Sequence, residues 1–546
     1  MRLTRNAMTL FVTGVVSASR IEAQGIPWRP LVTIGDGTDD RARAAQLLGG
    51  TTESYLLRSA STLSPTVTGD STRLRAAMLL PEATAVNNST IPFSLNDGAM
   101  WAGRGWNERV RFGLQAEWGR LFLTVAPEFV ASQNLAYPMP APATVPVRPA
   151  DRNPLSSPWH LDPSLDAALR FGYTGFHLLD PGQSTLGVHL GTLAVGVSTE
   201  NEWWGPGIRN AIVMSDNATG IPRVFLRTSR PLRTPIGDIE GRWFLGALVE
   251  SRYFDTHPSN DWRSISGLIL VWRPEFDRDL TLGLARTVYA PLDRWYGLPA
   301  HLLDVLLGSG RRAAARPDTG LVNAREQIVS LFGRWVFPAD HFALHFEWAR
   351  TQLPASLRDL LTDPNHSQGY TLGLEWGAPV HGGRDLVRLQ AEGTYLEKSP
   401  SYRDRPLASF YTSSSVPQGY TQDGKVIGAA IGQGSSGQWM GLDYIAPKWL
   451  AGVFAGRIRW DDDALYTFPT PNTAIAANKW CSHDVSLYAG ATAGIQGAWG
   501  RLHVTVTRGE RLNLFFHNLT TCDPHPDQLS ILDARNTTLE VRFSPL

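Results

Sequence analysis

Beyond about residue 73 the chain alternates apolar and polar side chains with a period of two. In residues 110–118, Val110, Phe112, Leu114, Ala116 and Trp118 share one face, and Arg111, Gly113, Gln115 and Glu117 the other. In residues 387–395, Val387, Leu389, Ala391, Gly393 and Tyr395 oppose Arg388, Gln390, Glu392 and Thr394. Residues 485–494 and 502–507 repeat the pattern. Such a strand lies between oil and water. A soluble sandwich or propeller produces the same alternation. Two features favour an all-β chain folded as a transmembrane antiparallel β-barrel. Many runs approach the roughly 9 to 11 residues a tilted membrane strand needs. Of 19 Trp and 14 Tyr, several lie near strand ends, as Trp118, Trp348 and Trp376 do, where interfacial girdles sit.

The N-terminus has the order of a secretory signal. Arg2 and Arg5 precede an apolar stretch over 7–16, too short to span a bilayer, with small-residue cleavage sites at 21–23 or 16–18. Residues 1–23 are assigned to it; a buried N-terminal helix is the competing reading. No later segment offers the roughly 20 apolar residues of a membrane helix. No Cys follows the signal to accept a lipid anchor. With 50 basic and 50 acidic residues the net charge is zero, so a nucleic-acid partner is not expected.

Residues 24–72 read as a small periplasmic helical region. Asp39 and Asp40 sit at a helix start, good helix formers follow over 41–48, and Gly49-Gly50 ends the run. A second short helix is expected over 53–59. Residues 73–546 are then the barrel, with roughly 16 to 20 strands and an even number, taken as about 18. The last strand covers 538–543, with Leu539, Val541 and Phe543 facing lipid. Counting parity, 87–107 and the Pro-rich 133–163 are outer loops, and Gly119 marks a periplasmic turn. A strand over 165–178 returns to a tight turn at Asp180-Pro181-Gly182, and the next leads outward to Asn201.

Two segments at the outer side stand out. One runs Asn96-Asp97-Gly98-Ala99-Met100-Trp101-Ala102-Gly103-Arg104-Gly105, the other Asn201-Glu202-Trp203-Trp204-Gly205-Pro206-Gly207 with Ser215-Asp216-Asn217-Ala218. Sugars have apolar C–H faces and a hydroxyl rim. Indoles stack on the faces, and Asn, Asp, Glu and Arg hydrogen-bond the rim. Trp203, Trp204 and Trp101 are the stacking candidates; Asn201, Glu202, Asp97 and Arg104 are the polar ones. The plainer alternative is that the Trp residues pack a loop folded into the barrel mouth. These segments, with Pro127-Glu128 and Gln133-Asn134, resemble the capsule assembly Wzi family. The resemblance implies an outer-membrane barrel of about 18 strands with a periplasmic helical bundle. It also implies a lectin-like, non-catalytic role in binding capsular or exopolysaccharide at the cell surface.

Other signals are weak. Gly432-Gln433-Gly434-Ser435-Ser436-Gly437 matches a dinucleotide glycine fingerprint, but residues 438–442 beyond it read as strand or loop rather than helix. His341 and His345 have metal-like helical spacing within an alternating strand. Asp461-Asp462-Asp463 reads as a solvated turn. No cofactor or metal is expected. Cys481 and Cys522 lie at the open, outer end of one hairpin, and in an oxidising compartment a Cys481–Cys522 disulfide is expected. The reading is a monomeric surface-polysaccharide barrel embedded in outer-membrane lipid. A porin or transport channel is the alternative, and a barrel hydrolase a third. A lumen filled by the loops at 87–107 and 201–220 separates the first from the second.

Overall fold

In the computed structural model, described over residues 26–50, 56–64, 73–140, 147–307, 315–316, 320–321, 324–467, 483–517 and 532–545, the alternating segments close into one antiparallel barrel of 18 strands. The signal segment and the Cys481–Cys522 pair lie outside the described residues. No described helix is long and apolar enough to cross a membrane.

The first five strands are β1 (Arg75–Asn88), β2 (Gly105–Trp118), β3 (Leu121–Val125 and Glu128–Ser132), β4 (Phe176–Asp180 and Thr185–Leu190) and β5 (Leu193–Ser198). Then come β6 (Arg223–Thr228 and Leu232–Thr234), β7 (Gly237–Val249), β8 (Trp262–Pro274), β9 (Leu280–Pro291), β10 (Glu326–Phe337) and β11 (Phe342–Arg350). The last seven are β12 (Gln368–Val380), β13 (Asp385–Tyr395), β14 (Ser436–Ile445), β15 (Trp449–Trp460), β16 (Asp484–Gly497), β17 (Gly500–Leu512) and β18 (Ala534–Ser544). β18 pairs with β1, from Thr538 opposite Asn88 to Phe543 opposite Ala83. Closure leaves no sheet edge, so every wall strand has two neighbours to satisfy its backbone.

The expected faces hold. Phe112, Leu114, Leu284, Leu331, Leu372 and Val453 point outward and are exposed. Arg111, Arg242, Arg334, Glu347, Glu375 and Arg388 point inward and are buried. At the end with short turns, exposed Trp118, Trp335, Trp376, Trp449 and Trp499 form a ring around the wall. Trp499 stacks on Phe543 at 6.1 Å, and Tyr444 on Trp449 at 4.9 Å. Amphipathic rings at this level suit an interface between headgroups and hydrocarbon.

One turn is corrected. Asp180-Pro181-Gly182 is not a hairpin but an interruption within β4, facing a matching interruption at Ala126-Pro127 in β3. Gly182, at φ +59°, leaves no room for a side chain: a Cβ there would lie 2.3 Å from Ala126 O. The turn comes later, at Gly191 (φ +70°). Residues 165–175, expected as strand, belong to the preceding loop. Turn-forming residues are equally suited to a bulge, and local chemistry does not distinguish the two.

The N-terminal residues are not a layer beneath the barrel. A short strand (Trp28–Arg29) pairs in parallel with β1, and the chain then turns into the lumen. Helix α1 (Gly37–Gln46) lies inside the short-turn mouth, capped by Asp36, whose Oδ1 accepts from Thr38 N at 2.7 Å. The second expected helix is instead a strand, Leu57–Ser59, followed by the brief helix α2 (Ala60–Leu63).

Candidate functional site: the luminal plug and the outer mouth

Three inward-folded pieces fill the lumen: the N-terminal segment, the loop 199–222 after β5, and the loop 396–435 after β13. Charged side chains on the wall hold them. Arg43 of α1 meets Glu375 on β12 at 2.8 Å and donates to Pro206 O at 2.8 Å. Arg334 on β10 shares Glu375 at 3.1 Å. Arg388 on β13 grips Asp40 at 2.7 Å. Buried ions survive only when paired, so these contacts fix where α1 sits.

The Trp-Trp segment is built into this plug. Residues Glu202–Trp204 pair antiparallel with Leu57–Ser59. Trp204 is 0% exposed, lies edge-on to Phe244 at 5.6 Å, and donates its indole N–H to Glu202 at 2.6 Å. Burial alone would raise the Glu202 carboxyl, but Arg223 and Arg242 beside it hold it down at about 2. Trp203 is buried with Arg58 over its ring at 5.0 Å, and Arg58 also reaches Asp39 at 3.0 Å. After Gly205 (φ +104°) the backbone N–H groups of Ile208, Arg209 and Asn210 all donate to the Glu392 carboxylate, the last two at 2.9 Å. Ile212 N donates to Glu347 at 3.0 Å.

Loop 396–435 locks onto the same piece. Tyr411 Oη donates to Ile212 O and Tyr420 Oη to Val213 O, each at 2.8 Å. Ser215 N donates to Ile427 O at 3.0 Å. Trp204, Ile212, Val213, Phe244, Phe332 and Tyr420 belong to one buried cluster inside the barrel. A core of this kind is packed protein rather than a water-filled pore.

The first loop, 89–104, rests on that core. Lys425 Nζ donates to Gly98 O and Met100 O at 3.0 Å, and Gly98 N donates to Asp216 O at 2.7 Å. Burial lowers Lys425 to about 8 and raises Asp216 to about 7; burial also raises Asp97. Trp101 is buried against Phe171 at 5.1 Å, and Arg104 donates to Ala136 O at 2.5 Å.

The seven sequence candidates therefore do not form one surface. Asp97, Asn201 and Trp203 line a single cavity of about 420 Å³, between α1, the loop at 93–98 and the inner wall of β14–β18, β1 and β2. Trp204 and Glu202 turn away into the core. Trp101 and Arg104 brace the first outer loop. The cavity carries both signs of charge, including Arg58, Arg109, Arg542, Asp39, Glu82 and Glu540, and extends to Ile445, Ile495 and Ser544 at the short-turn end.

Several minor signals are placed as well. The glycines at 432–437 lead into β14, not a helix. His341 sits in a turn, while His345 faces the lumen 3.2 Å from Glu392, so the pair does not converge. Asp461-Asp462-Asp463 is not a solvated turn. Asp462 and Asp463 are buried in the first turn of a short helix (Asp462–Thr467), and Asp461 meets His160 at 2.7 Å.

At the long-loop end the structure presents a cluster the sequence did not single out. Tyr173 is 66% exposed, with Arg170 5.9 Å from its ring. Tyr253 lies edge-on to Phe171 at 5.6 Å, and Arg152 covers Phe254 at 4.0 Å. Arg252 is exposed beside them, and His257 meets Asp151 at 3.0 Å. Aromatic faces with cationic and hydrogen-bonding groups around them suit a polyhydroxylated ligand. The missed signal was Phe171-Gly172-Tyr173, hidden inside a stretch read as strand.

A closed, apolar-banded, aromatic-ringed barrel with long loops at one end is an outer-membrane β-barrel, its long-loop end outward and its short-turn end periplasmic. Filled by its own chain, it is of the plugged kind. Residues 82–290 match the profile of the family described as Capsule assembly protein Wzi, so the resemblance read from the sequence is borne out over that stretch. The fold is similar to that of Wzi of Escherichia coli, an outer-membrane protein involved in group 1 capsule assembly and a carbohydrate-binding β-barrel. The two share 11% identity and a TM-score of 0.52 over 85% of this chain and 83% of that one. OccAB2 of Acinetobacter baumannii matches at 8% identity and TM-score 0.37, covering 85% of this chain and 97% of that one. No curated protein sequence matches the chain.

Proposed function

We propose that this barrel binds a capsular or extracellular polysaccharide at the cell surface and assists its assembly or attachment, as a lectin-like monomer without catalysis. The observation that carries the reading is the filled lumen. Loops 199–222 and 396–435 share one buried core with the N-terminal segment, which leaves the outer loops as the working surface. The family match over residues 82–290 supports the same role. The proposed contact is the outer-mouth cluster around Tyr173, Tyr253, Arg152 and Arg252. Trp203 and Trp204, with Glu202, act as the scaffold beneath it.

Retention of surface polysaccharide by the purified protein tests this. Tyr173→Ala combined with Tyr253→Ala lowers retention, whereas Trp203→Ala alters it only in proportion to lost folded protein. Equal retention by the Tyr173/Tyr253 double variant and the parent removes the proposed contact.

A further inference from the structure

The loop after β9 does not stand above the barrel but folds back down its outer wall. Two 3₁₀ turns, Trp295–His301 and Asp304–Leu306, pack against β7, β8 and β9. Strand parity puts Thr287 and Tyr289 inside, where both meet Tyr420 of the luminal loop. Arg286, Val288 and Ala290 therefore face outward. Arg286 donates to Val305 O at 2.9 Å and to Leu307 O at 2.6 Å, which fixes the turns on the outer face.

The wall beneath breaks the alternation seen elsewhere. Its outward residues here include Ser264, Ser266, Arg286 and Gln327, where other strands place Leu or Val. Ser264, Ser266 and Gln327 are nevertheless buried, as is outward-facing Leu245. Trp272 marks the short-turn level on β8. A strand rising about 3.4 Å per residue at about 40° tilt climbs roughly 16 Å from Trp272 to Ser266 and roughly 21 Å to Ser264. Both lie within the roughly 25 Å apolar band of such barrels. Bare polar groups at that depth are costly, as is any unsatisfied backbone. The loop answers both. It covers the serines, its 3₁₀ bonds satisfy its own N–H groups (Gly297 to Arg294 O at 2.9 Å, Leu307 to Asp304 O at 3.0 Å), and Arg286 caps two of its carbonyls. Buried Asp304, held by His301 at 2.7 Å and Arg325 at 3.0 Å, clamps it shut.

The side chains turned away from the wall are apolar. Trp295 is 72% exposed, and Tyr296, Leu302, Leu303, Leu306 and Leu307 are exposed beside it. They continue the lipid-facing surface of Leu270, Leu284 and Leu331 directly below. We propose that residues 292–307 form a lipid-facing flap whose outer surface seats the acyl chains of the outer leaflet. The flap replaces a polar stretch of barrel wall with an apolar one and anchors the outer side of β7–β10 in the membrane.

Spin labels test this in lipid vesicles holding the full barrel. Trp295→Cys, Leu303→Cys and Leu306→Cys are made singly with Cys481 and Cys522 changed to Ser. Leu284→Cys serves as the lipid control and Val147→Cys, 94% exposed in an outer loop, as the aqueous one. The flap labels are expected to match Leu284 in oxygen accessibility and to be shielded from a water-soluble nickel complex. Adding Arg286→Leu is expected to shift the Leu306 label toward the aqueous control. Flap labels that match Val147 overturn the proposal. So does spin–spin broadening between copies, which assigns the patch to a protein contact.

Discussion

Arg43→Met removes the guanidinium that ties α1 to both the wall and the Gly-Pro-Gly bend, while keeping most of its apolar stem. Two charged contacts are lost, to Glu375 and to Pro206 O, each at 2.8 Å and each away from water. A hydrogen bond to a charged group contributes about 1.5–3 kcal/mol, and breaking a buried pair costs about 3–5 kcal/mol. Glu375 keeps Arg334 at 3.1 Å and Gln390 at 3.2 Å, so the lower end applies. About 3 kcal/mol at about 1.4 kcal/mol per decade is roughly a 100-fold rise in the opening equilibrium of α1. Amide hydrogen exchange over residues 39–46 reads this directly. Exchange there is expected to accelerate by about two decades, with wall strands such as β16 and β17 unchanged. Unchanged protection of α1 would refute the idea that this ion cluster holds the plug.

Other contacts of the plug and the outer loops are open to the same kind of test. Glu392→Gln weakens the acceptor for three backbone N–H groups, so cleavage by protease within 205–212 is expected to rise, by about 2 kcal/mol in local stability. Trp204→Ala empties a fully buried site and is expected to cost about 3–5 kcal/mol, seen as a lower temperature for loss of the compact band on gels, with polysaccharide retention per folded molecule unchanged. In the outer loops, burial raises Asp166 from 3.8 to about 6 despite its bonds from Ser251. A raised carboxyl stabilises the folded loops fully below about pH 4, and that contribution is lost as the pH climbs through 6. Proteolysis in 250–261 is therefore expected to increase over that window, and Asp166→Asn to flatten the dependence.

Much of the wall was legible because alternation is a local signal. Arg111, Arg388 and Glu392 were placed on the water face by spacing alone, and that face proved to be the lumen. What it faces was not legible. Arg43 and Glu375 are separated by 332 residues, and no short-range pattern links them. The N-terminal helix could therefore be drawn from its caps but not sent into the barrel. The Trp-Trp-Gly-Pro-Gly run was visible as unusual, yet its indoles serve Phe244, Glu202 and Arg58 inside the plug. Asp180-Pro181-Gly182 misled because a bulge and a turn ask for the same residues. Tyr173 and the flap at 292–307 were missed for a shared reason: loops carry no period, so their exposed faces emerge only with the fold.

Ion conductance across a planar bilayer tests most directly whether this barrel works as a plugged surface binder. With α1 and the loops 199–222 and 396–435 in place, the wild type is expected to insert without stable channel steps, and Arg43→Met to add brief openings. Large, long-lived conductance steps from the wild type would show an open lumen and contradict a plugged surface binder.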